Sequence, residues 1–86
     1  MNGLVVNSLN LKFKKLGTLS GTSNTFAVTE FTASQLIGIT IQDGNNFYMG
    51  NDYRVTTVNM TGSGNLNISL SNTNFDGASV YAYYWA

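Results

Sequence analysis

Apolar and polar residues alternate along this chain with a period of two, which is typical of half-buried β-strands. In residues 66–71 the apolar side chains fall on one face and Asn and Ser on the other. Residues 37–42 repeat the pattern with three isoleucines directed inward, and residues 9–14 repeat it with lysines facing solvent. Since no stretch has the apolar period of an amphipathic helix, the pattern predicts an all-β protein.

Five further strands are predicted, at residues 4–7, 25–31, 47–49, 53–60 and 79–85. Within 53–60 the apolar phase changes between Val55 and Val58, which a β-bulge at Thr56 and Thr57 would explain. Clusters of Gly, Asn and Asp separate the strands at intervals of roughly 8–12 residues. We therefore expect one small antiparallel β-sandwich, jelly-roll-like, over residues 1–86, with residues 1–24 as a possible docking arm and 25–86 as the core.

The composition favours self-association. A chain of 86 residues makes one small domain, and it contains no Cys and no His, so disulfides and the commonest metal ligand are absent. Only 9% of residues are charged and the net charge is zero, which gives no basis for binding nucleic acid and promotes association. Lys12, Lys14 and Lys15 form the one charge cluster, and we expect them to protect an edge strand rather than to bind an anion.

The inventory of reactive groups does not predict an enzyme. Without His or Cys, neither a Ser-His-Asp nor a Cys-His arrangement can form. The four carboxylates are Glu30, Asp43, Asp52 and Asp76, and the three aspartates lie in Gly- and Asn-rich turns, where Asp commonly bonds the local backbone. Calcium binding at the turns of Asp43 or Asp52 is an alternative to plain hairpin turns, although neither matches a calcium loop. We therefore predict no catalytic residue, no metal and no cofactor. We also predict no membrane insertion, because no apolar run is long enough to span a bilayer.

The C-terminal strand is apolar or aromatic on both faces, which is typical of a strand that is covered on both sides. One face is expected to enter the core. The other is predicted to form a subunit interface, with ligand contact as the alternative. The side chains of that second face are Tyr81, Tyr83 and Trp85.

A second aromatic group surrounds a polar loop. Tyr48, Asn51, Asp52 and Tyr53 combine rings with hydrogen-bonding side chains, the mixture that stacks on and hydrogen-bonds a sugar. These four residues are the candidate ligand site, and ordinary loop packing is the alternative interpretation.

The order of segments in the second half of the chain resembles a known family. Residues 31–41, a polar loop, residues 53–60, a Gly-Ser-Gly turn, residues 65–72 and the closing aromatic strand 79–85 are similar to the C-terminal β-sandwich modules of bacteriophage tail or head fibres and receptor-binding proteins. The resemblance covers residues 25–86.

That resemblance implies a homotrimer carried on a larger fibre or virion protein, as an extracellular appendage of the virion. The implied function is attachment to a host surface by non-covalent binding, through a glycan or a protein. Three alternatives stay open: a purely structural module that trimerises or caps a fibre, a free-standing monomeric carbohydrate-binding module, and a polysaccharide lyase or hydrolase with carboxylates shared between subunits.

Overall fold

The computed structural model of the chain describes residues 10–86, so the strand predicted at residues 4–7 lies outside the described part. Residues 10–86 contain seven strands and no helix. The strands are β1 (Leu11–Thr18), β2 (Ser23–Ala27), β3 (Leu36–Asp43), β4 (Asn46–Met49), β5 (Val55–Met60), β6 (Asn65–Leu70) and β7 (Ser79–Trp85). The described part of the predicted docking arm forms β1 and the first two residues of β2.

The strands form two antiparallel sheets around one core. The first sheet has the order β1-β7-β3-β4, and the second has the order β2-β6-β5. Side chains from both sheets meet in a single apolar cluster, so the prediction of an all-β, sandwich-like fold is confirmed. The buried core comprises Leu19, Val28, Phe31, Ile39, Ile41, Leu66, Ile68, Leu70, Phe75, Ala78, Val80, Ala82 and Tyr84.

Register irregularities decide which side chains enter the core. The shift predicted at Thr56 and Thr57 is confirmed, because the β5–β6 pairing changes register between Val55 and Thr57. The prediction of three inward isoleucines is wrong for Ile37, whose side chain is 42% exposed. The pairing of β3 with β7 shifts between Leu36 and Gly38, and this irregularity releases Ile37 from the alternation that buries the other two.

The first part of strand β1 presents its apolar residues Leu11 and Phe13 away from the core, contrary to the simple interpretation of its alternation, whereas Leu16 packs against the core. Leu11 and Phe13 are opposite Trp85 and Tyr83 in the β1–β7 register, and Phe13 is 66% exposed. Paired residues of adjacent strands share a face, and β7 buries the residues that alternate with Tyr83. Leu11 and Phe13 therefore belong to the outer surface of the sheet.

The lysines of β1 lie along an edge of the first sheet. Lys12 and Lys14 are opposite Tyr84 and Ala82, which places them on the core side of the sheet, yet both retain access to solvent. The Nζ of Lys14 forms an ion pair of 2.8 Å with the Oε2 of Glu30. Within residues 10–86, β1 is the outermost strand of this sheet, so the predicted edge position of the cluster is confirmed for the described part of the chain. Charged residues on an edge strand oppose pairing with another sheet.

Candidate functional site

The outer face of the four-stranded sheet carries five of the eight exposed large hydrophobic side chains in the described part of the chain. We define it as the side chains that point away from the core, in alternation with buried residues of β7 and β3. Lys15 is the one charged residue that the register places on this face among residues 10–86. Its apolar and aromatic members are Leu11, Phe13, Phe47, Met49, Tyr81, Tyr83 and Trp85.

Much of this face is open to solvent. Phe13 and Phe47 are 66% and 65% exposed, Trp85 is 43% exposed, and Leu11 and Met49 are also exposed. These three aromatic side chains alone present roughly 300–400 Å² to water. This area is comparable to the largest apolar patch on a typical monomeric protein, and such a patch is often functional.

Tyr83 lies across the middle of the outer face, over Gly38 on the neighbouring strand. A Cβ atom added to Gly38 would lie only 2.8 Å from the Tyr83 hydroxyl oxygen, so the glycine leaves the space that the ring occupies. On its other side, Tyr83 contacts Phe13, with ring centroids 5.9 Å apart and the planes tilted by 41°. Tyr83 thus separates an aromatic half of the face, on β1 and β7, from a half on β3 and β4.

A groove of about 450 Å³ opens on the β3 side of Tyr83. It exists because β4 is short: its pairing with β3 ends at Thr40 and Met49, and only a hydrogen bond from the Gly50 N–H to the Ile39 carbonyl follows. Among residues 10–86, no strand pairs with the edge of β3 from Leu36 to Gly38 on that side. The side chains that line the groove include Leu36, Ile37, Met49, Asn51, Val58 and Tyr83, none of them charged.

A second cluster is built around Arg54, where the β4–β5 loop meets the buried ring of Phe75. The Arg54 guanidinium lies 4.2 Å from the centroid of Phe75, 4.7 Å from that of Tyr48 and 5.0 Å from that of Tyr53. Its Nε and one terminal nitrogen donate to the two carboxylate oxygens of Asp52, at 2.9 and 3.2 Å. This fork-to-fork pair between stacked rings fixes the planar cation in one orientation.

The charges of this pair stabilise one another. Hydrogen bonds from the Arg54 side chain and backbone hold the pKa of the Asp52 carboxyl below its usual value. In return, the Asp52 carboxylate raises the pKa of Arg54. Asp52 therefore serves as a structural acceptor for Arg54, and its two oxygens are already engaged by protein donors.

The four predicted ligand residues do not form one site. Tyr48, Asp52 and Tyr53 come together around Arg54, whereas Asn51 lines the groove beside Tyr83. Tyr48 points inward, opposite buried Ile41, and packs against Phe75 with centroids 5.1 Å apart. Tyr53 is 82% exposed and is the member of the set best placed to meet a ligand.

The predicted interface residues do share one surface. Tyr81, Tyr83 and Trp85 all lie on the outer face, where they are joined by Phe13 and Phe47, which sequence reasoning did not assign to it. Sequence reasoning also did not place Arg54 and Phe75 in the cluster that forms around Arg54. Arg54 is the sole arginine of the chain and lies two residues after Asp52, which was the available signal.

No protein-family model, curated protein or solved structure matches this chain. The outer face and the Arg54 cluster are therefore the features from which a function can be inferred. Residues 10–86 contain no group of three or more His, Cys, Asp or Glu side chains that could hold a metal ion. That same part of the chain has no helix long and apolar enough to span a membrane.

Proposed function

We propose that this domain is a non-enzymatic assembly and attachment module that forms a homo-oligomer through the outer face of its four-stranded sheet. The observation that carries the proposal is the row of exposed aromatic side chains on that face, from Phe13 and Trp85 across to Phe47. The interfaces of homo-oligomers are more apolar than ordinary surface and enriched in aromatic residues, and this face has both properties.

The size and charge of the chain support the same proposal. A domain of 86 residues with no disulfide gains stability when association buries additional apolar area. The zero net charge removes the repulsion that keeps many small domains monomeric. The lysines of β1 oppose edge-to-edge pairing at that edge of the four-stranded sheet.

In its finer form the proposal is a jelly-roll-like homotrimer at the end of a bacteriophage fibre, exposed on the virion and joined to a larger fibre or virion protein. Two nested strand pairs, β1 with β7 and β2 with β6, support the jelly-roll-like part of this proposal alone. The sequence resemblance to fibre modules supports the trimer and the role in attachment to a host surface.

Trp85 provides a direct test of the assembly, because it is the sole tryptophan and lies on the outer face. Its emission is expected to be blue-shifted at high protein concentration, where a neighbouring copy removes water from the ring. Dilution should move the emission to the red with a single midpoint. An emission maximum that stays constant, with a monomeric mass throughout, would count against assembly through this face.

Tyr53 favours a second function for the same module, the recognition of a host saccharide. Its ring is almost fully exposed and stacks on Arg54, whose guanidinium is held in place by Asp52. An exposed ring on a rigid support loses little entropy when it stacks on a sugar. Several copies in one oligomer would then bind clustered glycans by avidity.

Replacing Tyr53 with alanine is expected to weaken binding to a surface polysaccharide by roughly tenfold or more, because the stacking ring is lost. Tyr53→Phe, which keeps the ring, should bind nearly as well as the unmodified protein. The measurement is a screen of the unmodified protein against a glycan array, followed by titration of the three proteins with the best binder. Equal binding by Tyr53→Ala, or no binder on the array, would contradict the saccharide site.

A further inference from the structure

The groove at the open edge of β3 leads into the core between the two sheets. Val58 of β5 faces the inside of the sandwich, because it lies opposite fully buried Ile68, yet its side chain is 36% exposed. Leu36 also faces inward, opposite buried Tyr84, and is only partly buried. Apolar residues on the inner sides of both sheets are thus open to water at this edge, so residues 10–86 leave the core incomplete there.

The same place offers a backbone edge. The β3–β4 pairing ends at Thr40 and Met49, and among residues 10–86 no strand pairs with β3 from Leu36 to Gly38 on that side. An exposed sheet edge is a template for a further strand, and a groove beside it can hold alternate side chains of that strand. The chemistry of the site therefore fits an extended apolar segment of polypeptide.

We propose that residues 4–6 of the same chain cover this opening as an added strand. Leu4, Val5 and Val6 are apolar, and the two valines are β-branched, which favours a strand. No residue from 1 to 9 has a charged side chain, and neither has any residue that lines the groove, so docking leaves no charge without solvent. This inference is independent of assembly through the outer face and holds equally for a monomer.

The start of the described chain lies within reach of the groove. The Ala86 N–H donates to the Asn10 carbonyl at 2.8 Å, so β1 begins at the end of the sheet where β7 ends and β3 begins. A strand added beside β3 would lie three strand spacings from β1, roughly 14 Å. An extended chain from residue 10 back to residue 5 spans up to roughly 17 Å, so residues 4–6 can reach this edge. The added strand would run towards the end from which β3 departs, which makes the pair antiparallel, as β3 and β4 are.

Hydrogen exchange of the full chain, measured by mass spectrometry, tests the docking. The amides of residues 4–6 are expected to exchange at least roughly tenfold more slowly than in a free peptide of residues 1–9. Ile37→Lys, with Met49→Lys as the second variant, puts a charge into the groove and should remove this protection. Tyr53→Lys, at an exposed residue outside the groove, is the matched control and should retain it. The amides of β6 report in the same experiment whether each variant is folded.

Cysteine cross-linking identifies the chain that supplies the segment, since the protein has no cysteine of its own. In the double variant Asn7→Cys and Asn51→Cys, a short bismaleimide should join the two thiols within one chain, because Asn51 lines the groove. No link, or links solely between chains, would overturn the inference, the second result by showing that another copy fills the groove. Exchange of residues 4–6 at the free-peptide rate, or protection that survives both lysine variants, would overturn it as well. A monomeric mass in solution would instead overturn the proposed assembly and leave this inference standing.

Discussion

Replacing Phe75 with alanine is expected to lower the free energy of unfolding by about 3–5 kcal/mol. The Phe75 side chain is fully buried and supports both the ring of Tyr48 and the guanidinium of Arg54. Its removal leaves a cavity beneath the Arg54 cluster and removes the ring that packs against the Arg54 guanidinium. A domain of this length has a total stability of roughly 4–13 kcal/mol, so this loss is a large fraction of the total.

Urea denaturation at one fixed protein concentration measures this loss, since association would otherwise shift the apparent stability. Tyr53→Ala is the matched control: it removes an exposed ring from the same cluster and should change stability by less than about 1 kcal/mol. If Phe75→Ala were no less stable than this control, the Phe75 ring would not be the packed centre that the structure describes.

Replacing Trp85 with lysine is expected to raise the dissociation constant of the oligomer by roughly 30-fold or more, the effect of losing an interface hot spot. The substitution removes the largest side chain of the outer face and places a charge where a neighbouring copy excludes water. The strand itself should persist, because the Trp85 backbone N–H donates to the Gln35 carbonyl and the Gln35 side-chain amide donates to the Trp85 carbonyl.

Sedimentation velocity across a concentration series gives the dissociation constants of the unmodified protein and of Trp85→Lys. Trp85→Phe serves as the conservative control. The phenylalanine variant should assemble with nearly unchanged affinity. An oligomer that tolerates lysine at position 85 would show that the outer face is not the interface, whatever else joins the copies.

The sequence pattern predicts the strands of this fold better than it predicts their faces. A period of two identifies a strand and its two sides, but which side meets the core depends on the partner strand and on bulges. Phe13 is the clearest case: its apolar alternation suggests burial, yet the pairing with β7 puts it opposite Tyr83 on the outer surface. Ile37 leaves the core for a related reason, a register shift that no local pattern records.

The sequence likewise predicts the C-terminal residues of the outer face but not the membership of the Arg54 cluster. Tyr81, Tyr83 and Trp85 could be assigned to one face because they belong to one strand, where alternation is sufficient. The Arg54 cluster could not be predicted from sequence, because it depends on Phe75. Phe75 lies 21 positions after Arg54, and the packing of the core brings the two side chains together. Asn51 could not be separated from its neighbours either, because the groove that it lines is formed by the early end of β4.

The central claim is that copies of this domain associate through the outer face, and the mass in solution tests it most directly. Multi-angle light scattering over a dilution series should give a mass well above that of one 9.3 kDa chain, three times that value for the proposed homotrimer, with dissociation on dilution. A mass of 9.3 kDa at every concentration, including the highest attainable, would contradict the claim.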